Sequence, residues 1–574
     1  MRLDREGSRQ AVIVAGSALL VFLLAAGPAR ADCPPAETTP VHAVAGQATE
    51  PVETGERAVV DGVVTAAFPG DDGLDGFFIQ GREPAPDGLP AGLFVYAPGL
   101  TAEEAARLEP GQWVRLTGRT GTFHGRPQLQ RLKELVHCGE TSVESLAVTL
   151  PLTDLVDSKA RLEGVHVRLD EPLTVSGHYE LAQRGTLTLT AGGRAFQPTN
   201  SADEAGVVPA ERRLLLDNGS YGWGADPIPY LDEDGTRRVG DRVEGLTGVL
   251  THAFDRWRLH PGEPPAFENT NPRPAPLEAP ADDRVRVAAF NVENYFLTLG
   301  ERGAATAREL RRQRAKLLAA AEQLDADVLA LVEMENDPAA TEDFARRLAE
   351  RTGAPWRRVA TDRGDEGTDA IKVALIHRAD RVARVGPAWR DDRRVHHRPP
   401  LVAGFRAVDG GEPFAVAAIH FKAKRGCPDA GDVDRGQGCW NQRRTEQAEA
   451  LAEFAADWRA AGHPPVLIAG DLNAYGGEDP ARALAAAGKV DLLARELPPE
   501  RRYTYVFRGE SGYLDHLQAH PALAERAEWV TTHPINADEP RFLEFDDGGP
   551  DGRHFRPDAF RSSDHDPVVV DLRR

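Results

Sequence analysis

Residues Pro465–Ala474 read PVLIAGDLNA. The run Val466–Ala469 is continuously apolar, which marks a short buried strand, and it ends in Asp471 and Asn473. Burying a carboxylate is costly unless it is paired or binds a metal. A carboxylate and a carboxamide at the mouth of a core strand therefore pose the question of a site.

The arrangement recurs along the second half of the chain. After VAAF come Asn291 and Glu293, after VLALV comes Glu333, and after VAAI comes His420. GYLDH offers Asp515 and His516, and RSSDHDPVVV sets Asp564, His565 and Asp566 before the apolar run Val568–Val570. One such residue would be a solvated strand end. Six runs of the same kind converge on one rim, where ligand and catalytic groups of α/β sheets gather. Helical stretches, ARELRRQRAKLLAAAEQL and NQRRTEQAEALAEFAADWRAA, lie between the runs, so the class is α/β, with buried sheets carrying helices on their outer faces.

Upstream the pattern changes. VVDGVVTAAF, GFFIQG, GLFVYAPG and GQWVRLTGRTG alternate apolar and polar residues between glycines, as half-buried strands do. A second set follows in LEGVHVRLDEPLTVSG, GTLTLTAGGRAFQPTN and GDRVEGLTGVL. The echo of Gly111–Gly118 in Gly240–Gly248 predicts two related small barrels of OB-fold size, the alternative being two unrelated meanders. NTNPRPAPLEAPADD, Asn269–Asp283, reads as a stiff proline-rich linker. The expected organisation is a leader at 1–31, β domains at 32–140 and 141–268, the linker at 269–283 and an α/β domain at 284–574.

The leader expectation rests on a basic start, an apolar stretch from Ala11 to Ala26 and the small-residue Ala29-Arg30-Ala31, which fit a secretory signal. It implies an extracellular or periplasmic protein with no membrane attachment after cleavage. Four cysteines, Cys33, Cys138, Cys427 and Cys439, suit an oxidising compartment. Of three possible pairings, Cys33–Cys138 and Cys427–Cys439 keep each pair within one candidate domain. The formal net charge of −21 argues against holding polyanions by general surface charge. Phosphates would instead be met at a local basic patch: Lys422, Lys424, Arg425, Arg435, Arg443 and Arg444 follow His420, around the loop that Cys427 and Cys439 would close, with Lys422, Lys424, Arg443 and Arg444 as substrate-binding candidates.

The rim residues narrow the chemistry. Carboxylates and a carboxamide without a cysteine cluster suit Mg²⁺, Mn²⁺ or Ca²⁺. Histidines can orient phosphate oxygens or move protons near neutral pH. The sequence has neither a GxSxG elbow nor a P-loop lysine motif. Metal-assisted phosphodiester hydrolysis fits this set best.

FNVEN, LALVEMEN, AIHFKAK, IAGDLNA, YLDH and SSDHDPV, in that order, resemble the endonuclease/exonuclease/phosphatase superfamily with its DNase I-like fold. Within it, the chain is similar to secreted bacterial nucleases with an OB-like N-terminal region. The resemblance implies a four-layer α/β sandwich preceded by an all-β, OB-like barrel region. It implies that Glu333 and Asn291 hold the divalent metal, that Asp564 completes the metal or water network, and that Asp471 orients or deprotonates the attacking water. Asn473 would contact the phosphate, His565 would face it with support from Asp515, and His420 would assist the leaving group, with Asp369 as a candidate acidic partner.

The expected substrate is DNA, with RNA as an alternative, and no protein partner is inferred. The rival readings are a phosphodiesterase or phosphatase acting on a substrate such as a phospholipid head group, and a non-catalytic nucleic-acid-binding protein. His516 and Asp566 should face away from the site, while Glu293 and Glu335 either share a ligand's face or are solvated. Phe77, Phe78, Phe94 and Tyr96 either stack on bases or fill the barrel core.

Overall fold

The computed structural model describes residues 33, 35–47, 52–152, 158–201, 203–362, 366–546 and 552–574. The expected leader lies outside the described residues.

Five strands, Arg57–Phe68, Gly76–Gln80, Gly92–Tyr96, Gln112–Phe123 and Arg126–Glu140, close into a barrel in which the fifth lies between the third and the fourth. Alternate positions point inward, so Val60, Val64, Phe77, Ile79, Leu93, Val95, Val114 and Leu116 build its core. Phe78 points outward and packs on Phe94, with ring centroids 4.9 Å apart, and on His260, at 5.9 Å. Core filling is thus the role taken by Phe77, whereas Phe78 and the half-buried Phe94 pack at the contact with Val249 of the next β region; of the four, only Tyr96 is exposed. The disulfides are Cys33–Cys138 and Cys427–Cys439.

The second β region corrects the expectation of a second barrel. Nine strands between Leu146 and Glu268 form one mixed sheet. The echoed sequences fall on unlike backbones: Gly111–Gly118 runs into the 12-residue strand Gln112–Phe123, whereas the later copy leaves its strand after Arg242–Val243. Gly245 then turns through φ 60°, and a new strand starts at Leu246.

Asn269–Asp283 contains no regular element, as its prolines dictate. It is nevertheless no loose spacer. Asn271 Nδ2 donates to Val239 O and to Asp538 Oδ2 at 2.7 and 2.8 Å. Arg273 makes a two-pronged pair with Glu539 at 2.9 and 2.8 Å.

The remainder is built on two six-stranded sheets. In spatial order one runs Trp356–Arg358, Ile371–Arg378, Val328–Glu335, Arg284–Tyr295, Val568–Arg573 and Ala527–Thr532. The other runs Val382–Arg390, Leu401–Ala407, Phe414–His420, Val466–Asp471, Asp515–Ala519 and Val490–Asp491. Val287, Ala289, Val328 and Ala330 meet Phe405, Val416, Ala418 and Leu467 in the core between them. Helices Ala307–Leu324 and Pro338–Thr352 cover the first sheet, and Asn441–Ala460 and Asp479–Ala486 the second. Because both faces of each sheet are buried, the strands read as continuous apolar runs. The result is the expected four-layer α/β sandwich.

Candidate active site

Strand register gathers the site. In the second sheet His420 lies opposite Asp471 and Asp471 opposite Asp515, so three chemistry-bearing residues form one row across adjacent strands. In the first sheet Asn291 lies opposite Val332, with Glu333 next along the chain. The ladders on both sides of Val328–Glu335 break at this point. Glu333 takes φ 66°, Glu293 49° and Asn294 57°, left-handed values that side chains other than glycine adopt at a cost of order 1 kcal/mol or more. The broken ladder re-aims Glu333 into the cleft: Asn291 Nδ2 lies 3.4 Å from its Oε1 and 3.5 Å from Asp471 Oδ2. Asn473, at φ 48°, fixes Asp471 by donating from its backbone N to Oδ1 at 2.6 Å and from Nδ2 to Oδ2 at 3.1 Å.

His565 closes the row. Its Nδ1 lies 2.7 Å from Asp515 Oδ2, which also accepts from Thr504 Oγ1 at 2.8 Å. Tyr505 lies against the imidazole with ring centroids 4.7 Å apart. The turn that carries His565 is held from behind by Asn536, whose Nδ2 donates to His565 O at 2.7 Å and whose Oδ1 accepts from Ser562 N at 2.8 Å. Ser563 Oγ donates to Asn291 O at 2.7 Å, tying that turn to the first sheet.

Burial alone would lower the pKa of His565, but Asp515 and then Asp564 outweigh it and hold the imidazole well above its usual value. Burial pushes Asp471 up to about 7, against the pull of His565. Glu333 is raised by burial and by Asp564.

His420 behaves oppositely. Burial and the Arg398 guanidinium hold it well below the usual imidazole value. Arg398 Nη1 lies 3.0 Å from its Nδ1 and 2.9 Å from its Nε2, and Nε2 is 3.5 Å from Asp471 Oδ2. The neighbour of His420 is thus an arginine, which corrects the pairing with Asp369. That carboxylate faces Arg398 at 3.8 Å and Arg302 at 3.4 Å instead.

The other sequence candidates sort by direction. His516 points away, its Nε2 2.8 Å from Ala474 O. Asp566 accepts from Asn536 N and Ala537 N at 2.7 and 3.0 Å and so caps a turn. Glu335 accepts from Leu297 N at 2.6 Å. Glu293 is pushed well above the usual carboxylate value by burial, Glu544 and Asp564, and its Oε2 is buried without a partner.

Among the basic candidates, Lys422 lies at the lip beside Arg398, Asp369 and Arg425. Arg443 spends one nitrogen on Arg394 O at 3.0 Å. Two assignments need correction. Arg444 is fully buried and donates to the carbonyls of Cys439, Gln437 and Lys422, so it shapes the disulfide loop instead of reaching substrate. Lys424 is committed to the buried Glu478 at 2.5 Å, over the Tyr475 ring.

Arg398, Thr504, Tyr505 and Asn536 were not predicted as site residues. Arg398 could have been suspected in HHRPP, where a cation is locked before two prolines; the other three stand in no motif.

Among the described residues, no three or more His, Cys, Asp and Glu side chains are arranged as a ready metal cluster. The oxygen donors nevertheless fit a hard divalent ion. Glu333 stands beside the carboxamide of Asn291, Asp564 and the partnerless Oε2 of Glu293 are near, and burial raises both glutamates.

Sheets, outer helices and a rim of carboxylates, carboxamides and histidines define the DNase I-like class of hydrolases. Residues 288–565 match the Endonuclease/Exonuclease/phosphatase family. No curated protein matches the chain.

Similar solved structures include the human Nocturnin catalytic domain with bound sulfate, at 15% identity and TM-score 0.32, covering 50% of this chain and 93% of that one. TDP2 from D. rerio complexed with single strand DNA product gives 15% and 0.32, covering 51% and 100%. An AP endonuclease from Archaeoglobus fulgidus gives 16% and 0.32, covering 50% and 99%.

Proposed function

We propose that this chain is an exported, divalent-metal-dependent phosphodiesterase that hydrolyses DNA, with RNA open to the same chemistry. The observation that carries the reading is the row His420–Asp471–Asp515, closed by His565 and faced by the Asn291–Glu333 pair. Glu333 and Asn291, with Asp564, would hold Mg²⁺, Mn²⁺ or Ca²⁺, which supplies Lewis-acid polarisation of the phosphate. Asp471, held in plane by Asn473 and with a pKa near neutrality, accepts the proton of the attacking water. His565, its Nδ1 occupied by Asp515, turns Nε2 toward the phosphate and stabilises charge developing on its oxygens.

The low pKa of His420 supports an orienting role beside Asp471, with Arg398 as the nearby cation, over donation of a proton to the leaving group. Lys422 and Arg443 are placed to meet flanking phosphates. Two disulfides suit an oxidising compartment, consistent with export.

A phospholipid head group is the second reading. It is favoured by Phe507, half-exposed on the hairpin Tyr505–Gly512 that borders His565. Incubation with supercoiled circular DNA, RNA and sphingomyelin vesicles, each with Mg²⁺ and with chelator, separates the readings. The expected result is nicked DNA with metal and none with chelator; sphingomyelin hydrolysis beside intact DNA would reverse the choice.

A further inference from the structure

The aromatic side chains that remain in water beside the site do not come from the barrel. Tyr179 is 65% exposed and Phe507 48%. Tyr179 follows the strand Leu173–Gly177 of the nine-stranded sheet, outside the residues that match the family. That strand packs on the hairpin Tyr505–Gly512: a side-chain carbon on Gly177 would meet Gly509 Cα at 3.0 Å, and Gln197 N and Ser511 N donate across the seam to Ser511 O and Ala195 O. The same hairpin sets Tyr505 against His565.

On its other side Tyr179 OH accepts from Arg541 Nη1 at 3.3 Å, and Arg541 Nε donates to Glu544. Glu544 in turn holds Arg561, which opens the turn carrying Asp564 and His565. Phe507 thus lies two residues from the ring that packs on His565, Tyr179 is linked to the catalytic turn through Arg541, Glu544 and Arg561, and each ring has a guanidinium within reach. Arg541 lies 5.9 Å from the Tyr179 ring centre and Arg508 5.2 Å from that of Phe507. Trp223, 69% exposed under Arg184 at 4.8 Å, repeats the pairing in the loop after the strand Arg213–Asp217.

A single exposed ring needs no explanation. Exposed rings that each stand beside an arginine, on the elements that pack around a phosphodiesterase site, match a single-stranded nucleic acid, whose bases stack on aromatic faces while its phosphates meet the cations. A lipid-inserting edge would gather apolar side chains without a cation beside each ring.

Resting on the nucleic-acid reading above, we propose that Tyr179 with Arg541 and Phe507 with Arg508 are stacking subsites for unpaired bases, so that the nine-stranded sheet forms one wall of the substrate path. The test compares full-length parent, Tyr179→Ala and Tyr179→Trp on single-stranded oligothymidylate and on bis(p-nitrophenyl) phosphate, a diester without bases. The expected result is that the ratio of the two kcat/KM values falls about tenfold in Tyr179→Ala, chiefly through KM for the oligonucleotide, and returns in Tyr179→Trp.

An unchanged ratio in Tyr179→Ala would overturn the subsite while leaving the nuclease reading intact. So would loss of binding to sphingomyelin vesicles with oligothymidylate KM unaltered. A parent that leaves nucleic acid uncut would overturn both.

Discussion

The barrel and the nine-stranded sheet differ in what they bury against their neighbours: exposed ion pairs such as Arg161–Asp87 flank the first contact, whereas the second encloses its charges. The barrel meets the sheet through an apolar seam, with Ala66, Leu74 and Phe78 on Val249 and with Phe68 and Phe94 at its edge. The sheet meets the catalytic domain through buried charge beside the apolar anchors Phe542 and Leu543. Arg194 pairs with Asp538 at 2.7 Å, Arg238 with both Asp538 and Glu539, and Thr236 donates to Glu539 at 2.8 Å. Asp538 and Glu539 lie directly after Asn536, which holds the His565 turn, and Ala537; the backbone N–H groups of both donate to Asp566. The difference teaches that the sheet braces the active site, whereas the barrel is a satellite of the sheet.

Breaking the clamp should have the largest effect. Arg238→Met leaves Glu539 and Asp538 short of a buried partner and should cost about 3–5 kcal/mol. Turnover should fall with it, because Asn536 loses its anchor. Denaturant unfolding together with single-turnover kinetics checks this, and parental turnover in a destabilised variant would separate the clamp from the site.

Acid should loosen the same seam next. His178, 2.9 Å from Asp538 O, is held down to about 4 by burial and by Arg561, and His533 to about 4 by burial and by Arg238. Both are neutral in the fold while the unfolded chain takes up protons near pH 6.5. Stability is therefore full above about pH 6.5 and falls as pH drops toward 4, by up to about 3 kcal/mol for each histidine. Melting temperatures across that window should show the slope, and His178→Asn should flatten it; a flat parent profile would contradict the buried neutral state.

The apolar seam should give least. Phe94→Ala should cost about 2 kcal/mol, since its ring is only half-buried, and leave turnover at the parental value. A turnover loss matching that of Arg238→Met would erase the contrast between the two attachments.

The gathering of polar strand ends on one rim was legible because each strand buries both faces and then ends in a polar residue, so VLIAGDLNA announces both a core strand and a candidate site. The row His420–Asp471–Asp515 was legible only as membership, since register is set by strand pairing between residues far apart in the chain. The second barrel was misread because alternation and glycines fix strands but not closure; the turn at Gly245 decides that region.

Arg444 was misread because an arginine in NQRRTEQ looks solvated until the carbonyls of the disulfide loop are seen around it. The clamp had no signal, since Arg194 and Asp538 are 344 residues apart and belong to no motif.

In the proposed function, Asp471 activates water for phosphodiester hydrolysis in the row closed by His565. The most direct measurement is the rate at which full-length Asp471→Asn nicks supercoiled circular DNA with Mg²⁺, beside the parent with and without chelator. Metal-dependent nicking by the parent and a loss of about a thousandfold or more in the folded variant are expected. Near-parental nicking by Asp471→Asn would contradict this role of Asp471.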